Sequence, residues 1–195
     1  SVYGNQSCKM NESKTKTNPV SPYGVSKLAA EHLVSAYVEN FNLPVIMLRY
    51  FTVYGPKQRP DMAIMKFVIK SILKRPITIY GDGTQKRDFT FIDDIVNATI
   101  SSINVSKPGE IINIGGGEVI SIRKVISILE NISEYKPKIL YKPFSNGDVL
   151  RTEADISKAK KLLGFKPKTS LRDGLYLEYE YVQRNKNLYK LSRKL

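Results

Sequence analysis

Pro44-Val45-Ile46-Met47-Leu48-Arg49-Tyr50 is apolar at almost every position over the length of one strand. Successive residues of a strand point to opposite faces, so such a run must be covered on both sides, as in a parallel sheet flanked by helices. The rest of the chain supplies that alternation. Ser21 before Pro22 opens a helix with Val25, Leu28, Ala29, Leu33, Ala36 and Tyr37 on one stripe, ending near Asn40 or Asn42. Residues 62–75 are helical in period, 77–80 strand-like, 81–83 a turn, and 88–92 alternate as a further strand. Asp93 is expected to cap a helix to about 103, with a strand at 110–114 and a helix from Ser121 to about 132. A strand at 138–141, a short helix at 156–163 closed by Gly164, and a helix from Ser170 or Leu171 to about 184 complete the chain. The fold class is α/β.

At 195 residues the chain holds one sizeable domain, or a domain and part of another. It has no apolar run of about 18 or more residues, the length of a membrane-crossing helix. Residues 1–7 carry neither the basic nor the apolar stretch of a secretory signal. The single cysteine, Cys8, excludes an internal disulfide and fits a reducing, cytoplasmic setting. The net charge of +13 is dispersed, densest at 9–16, 158–168 and 184–194, and no nucleic-acid-reading motif accompanies it. Solubility and attraction of a diphosphate ligand account for it better than nucleic acid does. His32 has no Cys or carboxylate at ligand spacing, which argues against a metal. Gly115-Gly116-Gly117 follows a strand but lacks the G-x-G-x-x-G spacing of a phosphate loop, and reads as a turn. Tyr176, Tyr179 and Tyr181 read as packing or rim residues.

The candidate chemistry centres on Tyr23 and Lys27, one helical turn apart on one face. A cation beside a phenol favours phenolate, a general base suited to a sugar hydroxyl. Spacing alone is weak, because Tyr189 and Arg193 repeat it. Context is stronger. Val2-Tyr3-Gly4 precedes the pair, and Arg49-Tyr50-Phe51-Thr52-Val53-Tyr54-Gly55-Pro56 follows it. Ile79-Tyr80-Gly81-Asp82-Gly83, Arg87-Asp88-Phe89 and Ile92-Asp93-Asp94 come next. Gly147-Asp148, Ala154-Asp155-Ile156 and Leu163-Gly164-Phe165-Lys166-Pro167 close the series.

In this order the segments resemble the NAD-dependent nucleotide-sugar epimerase/dehydratase family, the extended short-chain dehydrogenase/reductases, along almost the whole chain. The resemblance implies the C-terminal part of a Rossmann-like parallel sheet domain plus a smaller α/β substrate-binding lobe. Residues 1–60 would belong to the NAD-binding domain. Residues 61–195 would form mainly the nucleotide-sugar lobe, with segments packing back. Tyr23 would be the catalytic base and Lys27 would bond the nicotinamide ribose, with Tyr50 and Phe51 completing the cofactor contacts. Thr52, where many relatives carry Asn, would face the sugar diphosphate. Thr78, Ile79 and Tyr80 would flank the uracil, Arg87 would clamp the diphosphate, and Asp148 would hold ribose hydroxyls. Thr152 would leave room beside the sugar's 2-substituent, admitting N-acetyl sugars. Arg49 reads as structural, and Arg59 has only a weak claim on the ligand.

The implied activity is a UDP-sugar 4-epimerase of the UDP-glucose/UDP-galactose type, acting through a transient 4-keto sugar, with a homodimeric assembly. Ser1 stands where dehydratases and decarboxylases carry a glutamate, which favours the epimerase over those alternatives. Ser145 replaces an arginine usual in relatives, a loss of charge that Lys142 could offset. It leaves open a non-catalytic nucleotide-sugar-binding module. The family's glycine-rich loop and catalytic Ser or Thr have no counterpart in this sequence. The chain is therefore expected to be a fragment, with no turnover alone.

Overall fold

The computed structural model describes residues 1–144 and 147–190. Helix α1 (Pro22–Phe41) begins as its sequence requires. Ser21 is extended at the N-cap, its hydroxyl accepts the Gly24 N–H at 3.1 Å, and Pro22 sits in the first turn. It stops at Asn42, which adopts the left-handed conformation (φ 51°). Strand β1 (Met47–Tyr50) is shorter than the apolar run predicts. Pro44 has no N–H to offer a ladder, and the Val45 N–H folds back onto the Leu43 carbonyl at 2.9 Å, so pairing starts later.

Strand β2 (Val53–Tyr54) and helix α2 (Ala63–Ile72) follow, then β3 (Ile77–Tyr80), β4 (Lys86–Asp88), β5 (Thr90–Phe91) and α3 (Ile92–Ser102). Two strands thus replace the single one expected at 88–92, because the chain changes partner at Phe89. β4 pairs antiparallel with β7 and β5 parallel with β2. Asp93 is not the cap of α3. Phe91 holds that position without a side-chain bond, and Asp93 and Asp94 lie in the first turn. Asp94 instead accepts the Lys168 and Thr169 N–H groups at 3.1 and 3.2 Å, pinning a distant loop to this helix end.

The remaining elements are β6 (Ile111–Ile114), β7 (Val119–Ser121), α4 (Ile122–Ser133), β8 (Ile139–Lys142), α5 (Ser157–Leu163), α6 (Leu171–Arg184) and α7 (Lys186–Lys190). β1 pairs parallel with β6 from Met47↔Ile111 to Tyr50↔Ile114, and β3 parallel with β8. Three apolar clusters result. Ile112 and Ile114 of β6 pack with Ile95 and Ala98 of α3, with Ala159 and with Phe165, against Leu48 and Phe51. Val68, Ile77, Val125, Leu129 and Leu175 centre a second cluster on α2, α4 and α6, which Tyr179 and Tyr181 flank. Val2, Tyr3 and Met10 form a small third one that meets Leu28 and again Phe51. Phe51 therefore joins two clusters, at the end of β1.

The stripe of α1 is not inside. Among the described residues only Gly24 of this helix is buried, while Val25, Leu33 and Tyr37 are half or more exposed. Helical period predicts which residues share a face, and packing partners decide whether that face is covered.

Candidate active site

A cavity of about 790 Å³ opens between α1, the end of β1 and the 147–152 segment. Tyr23, Lys27, Tyr50, Phe51, Thr52, Arg87, Asp148 and Thr152 all border it. Residues far apart in sequence and singled out there for chemistry thus converge on one space. Ser21 caps α1 at the cavity edge, which sets Tyr23 and Lys27 in the first turns of a rigid helix. The Lys27 ammonium lies over the Tyr23 ring, 5.3 Å from its centroid. A cation is attracted to the face of an aromatic ring, so this contact orients the phenol.

The wall behind them is tied by polar contacts that sequence reading left out. Arg49 forms a two-pronged ion pair with Glu31, Nε to Oε1 at 2.8 Å and Nη2 to Oε2 at 2.6 Å, so β1 is locked to α1. The same guanidinium stacks over the Tyr3 ring, 4.7 Å from its centroid. The Tyr3 hydroxyl donates to Asn113 Oδ1 at 2.8 Å, while Asn113 donates its side-chain N–H to the Met10 carbonyl, also at 2.8 Å. Burial pushes the Tyr3 phenol up from its ordinary pKa, which suits a structural hydroxyl. Arg49 is thus structural, as expected, while Glu31 and Asn113 carried no sequence signal.

On the opposite side, Arg87 donates from Nη1 to the Lys86 carbonyl at 2.8 Å and from Nη2 to Asp148. The neighbouring Asp88 is fully buried. It accepts the Gly116 N–H at 2.6 Å and the Ala154 N–H at 2.9 Å. Burial raises its pKa to about 6, and the amides of Ala154, Gly116 and Gly117 pull it back only in part. The three glycines read as a turn therefore wrap a carboxylate of the chain itself. The Thr152 hydroxyl accepts the Asp88 N–H at 3.3 Å, so that residue also helps place the strand bearing Arg87.

Thr78, Ile79 and Tyr80 stand apart and do not border the cavity. Ile79 is buried in the core, so it offers a ligand only backbone, whereas Tyr80 is half exposed, beside Lys142 in the β3–β8 register. Arg59 is exposed and paired with Asp61 at 3.3 Å. Ser145 lies outside the described residues. Cys8 and His32 are exposed, and no group of three or more His, Cys, Asp or Glu able to hold a metal occurs among the described residues. No helix there is long and apolar enough to cross a membrane.

Comparison with known proteins agrees with this geometry. A family model described as GDP-mannose 4,6 dehydratase matches residues 1–177. A Bacillus subtilis protein named as an uncharacterized UDP-glucose epimerase, YtcB, is 46% identical over 185 residues, 93% of this chain and 58% of its own length. The UDP-glucuronate 4-epimerase of Thermodesulfobacterium geofontis is 46% identical, over 97% of this chain and 59% of its own. Among solved structures, the Bacillus cereus UDP-glucuronic acid 4-epimerase, in complex with UDP-glucuronic acid and NAD, superposes with a TM-score of 0.91 at 47% identity. That match covers 94% of this chain and 59% of the other. The chain thus spans about three fifths of the length of the relatives it matches. The fold is α/β, matching the C-terminal part of these Rossmann-like enzymes. With a family match along most of its length and close relatives on both sides, the chain belongs to the nucleotide-sugar epimerase/dehydratase family of extended short-chain dehydrogenase/reductases.

Proposed function

We propose that this chain supplies the proton-transferring and substrate-binding residues of an NAD-dependent UDP-sugar 4-epimerase. One observation carries the reading: Tyr23, Lys27, Phe51, Thr52, Arg87, Asp148 and Thr152 border a single cavity. The NAD contacts would come from Tyr23, Lys27, Tyr50 and Phe51. An ammonium and an aromatic ring at the cavity wall suit a ribose hydroxyl and a nicotinamide. NAD supplies a reversible hydride acceptor, so no external redox partner is consumed. Tyr23 takes the proton of the sugar 4-hydroxyl and returns it after the 4-keto sugar has turned over. Lys27 holds its ammonium over the Tyr23 ring, a cation–π contact that orients the phenol. Arg87 forks onto the diphosphate and Asp148 accepts from the ribose hydroxyls, holding the nucleotide while the sugar stays free to rotate. Thr78 and Tyr80, with backbone from Ile79, would meet the uracil only where the nucleotide extends beyond the cavity, since none of the three borders it.

The named relatives act on UDP-glucose or UDP-glucuronate, so both sugars are candidates beside the UDP-glucose/UDP-galactose type favoured above. The 1–60 and 61–195 division, a homodimer and a cytoplasmic setting belong to the same proposal. Ser1 at the cavity, with no carboxylate to offer there, favours the epimerase over a dehydratase or decarboxylase.

The deciding experiment is calorimetric titration of the purified chain with UDP. Micromolar binding is expected, weakened about tenfold or more (~1.4 kcal/mol) by Arg87→Gln. An absence of UDP binding in a cooperatively folded chain would sink the reading. Turnover is then read by joining residues 1–195 to the N-terminal part of the Bacillus cereus relative. Epimerisation of UDP-glucose or UDP-glucuronate is expected, falling by roughly 10²–10⁴ in Tyr23→Phe. Equal rates in the two proteins would remove Tyr23 as the base.

A further inference from the structure

Arg87 and Asp148, assigned above to the diphosphate and the ribose, are bonded to each other. The guanidinium side chain is only 13% exposed, against 36% for the carboxylate, so Arg87 depends on Asp148 for most of its charge compensation. Asp148 Oδ1 also accepts the Val149 N–H at 3.0 Å, and Arg87 Nη1 is engaged by the Lys86 carbonyl at 2.8 Å. Both partners are therefore held in place by backbone before any ligand arrives. We infer that this ion pair is a selectivity latch, which admits a nucleoside diphosphate and turns away bare phosphates. The inference rests on the ligand roles just proposed.

The physical reason lies in what each ligand gives back. Any anion that takes the Arg87 fork must displace the Asp148 carboxylate, leaving it without its counter-ion beside a new negative charge. Inorganic pyrophosphate brings no alcohol hydroxyls, and its remaining P–OH sits on a multiply charged anion, so Asp148 loses its counter-ion and faces net repulsion. A nucleoside diphosphate brings two ribose hydroxyl donors on the same molecule. They satisfy Asp148 while the phosphates satisfy Arg87, so one ion pair is exchanged for two sets of charge-assisted hydrogen bonds. Asp148 would thus discriminate by blocking the wrong ligand as well as by holding the right one.

The test uses the purified chain and two probes, inorganic pyrophosphate and UDP, in equilibrium dialysis at constant ionic strength. Asp148→Asn is expected to bind pyrophosphate about fivefold or more tightly than the parent, and its preference for UDP over pyrophosphate should fall about tenfold. The gain should vanish in the double variant with Arg87→Gln. It should also be absent from Asp93→Asn, which makes the same charge change at an exposed position outside the cavity. Asp148→Ser, read the same way, replaces Asp148→Asn if that variant loses its cooperative melt. Unchanged or weaker pyrophosphate binding overturns the latch. So does a gain that survives loss of Arg87, or one matched by Asp93→Asn. Absence of UDP binding in every variant overturns the latch together with the UDP reading, whereas UDP binding without a pyrophosphate gain overturns the latch alone, so the two failures are separable.

Discussion

Gly116→Ala is expected to abolish stable folding, or to lower stability by on the order of 4 kcal/mol. A Cβ at this position would stand 1.9 Å from the Phe89 carbonyl oxygen and 2.9 Å from its carbon. Backbone cannot yield as a flexible side chain can, so the 115–117 turn must move away from β4. Moving it withdraws the Gly116 N–H from Asp88, a carboxylate with no exposure to water. The overpacking and the stranded acid add in the same direction. Thermal melts followed by circular dichroism check this, and a variant melting within a few degrees of the parent would show that the turn is adjustable. The consequence reaches the site, because Asp88 directly follows Arg87 and accepts the Ala154 N–H, near Thr152.

The second large effect is a dependence of stability on pH. Glu178 of α6 is fully buried in the helical cluster, and neither oxygen has a hydrogen-bonding partner among the described residues. The Gly55 N–H favours its charge without reaching bonding geometry, and burial dominates, raising the pKa from 4.5 to about 8. A carboxyl with a raised folded pKa binds more protons folded than unfolded. Stability is thus greatest below pH 4.5 as far as this group goes, and falls as pH rises towards about 8. The slope within that window is about 1.4 kcal/mol per pH unit. Asp88 acts with the same sign, but only between 3.8 and about 6. Asp155 has the opposite sign. Bonds from Ser157 and Asn11 lower its pKa to about 2, and its contribution is lost as pH falls from 3.8.

Between pH 6 and 8, then, Glu178 drives the fall, opposed by the Ser1 amino group, whose pKa burial lowers from 8.0. Glu178→Gln should flatten the stability curve there and stabilise the chain at pH 7 by on the order of 3 kcal/mol. Urea denaturation at pH 6, 7 and 8 measures it. Parallel curves for parent and variant would mean that the carboxyl is already ionised, with a partner supplied by movement of α6. Tyr54 moves with the same environment. Its phenol is pushed above its ordinary range chiefly by burial, and secondarily by the Glu178 charge.

How much of this was written in the sequence can be judged residue by residue. Ser21-Pro22, Gly164 and Ser170 announced helix ends and stand at them, because caps depend on neighbours in the chain. The apolar run before Tyr50 announced a parallel strand covered on both faces; β1 does pair in parallel with β6, but only its Met47 is buried and Tyr50 is exposed. Tyr23, Lys27, Phe51, Thr52, Arg87, Asp148 and Thr152 were legible through ordered motifs, and they meet at one cavity. Asp93 misled as a cap because a local rule could not see that Asp94 would be drawn to the backbone at 168–169.

Local order along the chain therefore determined most element types, most helix ends and which residues were candidates for the cavity wall, Thr78, Ile79 and Tyr80 excepted. Tertiary structure alone decided that three glycines enclose Asp88, that Glu31 holds Arg49, and that Glu178 is buried without a hydrogen-bonding partner among the described residues. It also decided that the stripe of α1 lies open and that Arg87 faces Asp148. Each of these depends on groups brought together from distant parts of the chain. Desolvation and ion pairing act through space, and periodicity and spacing carry no record of them.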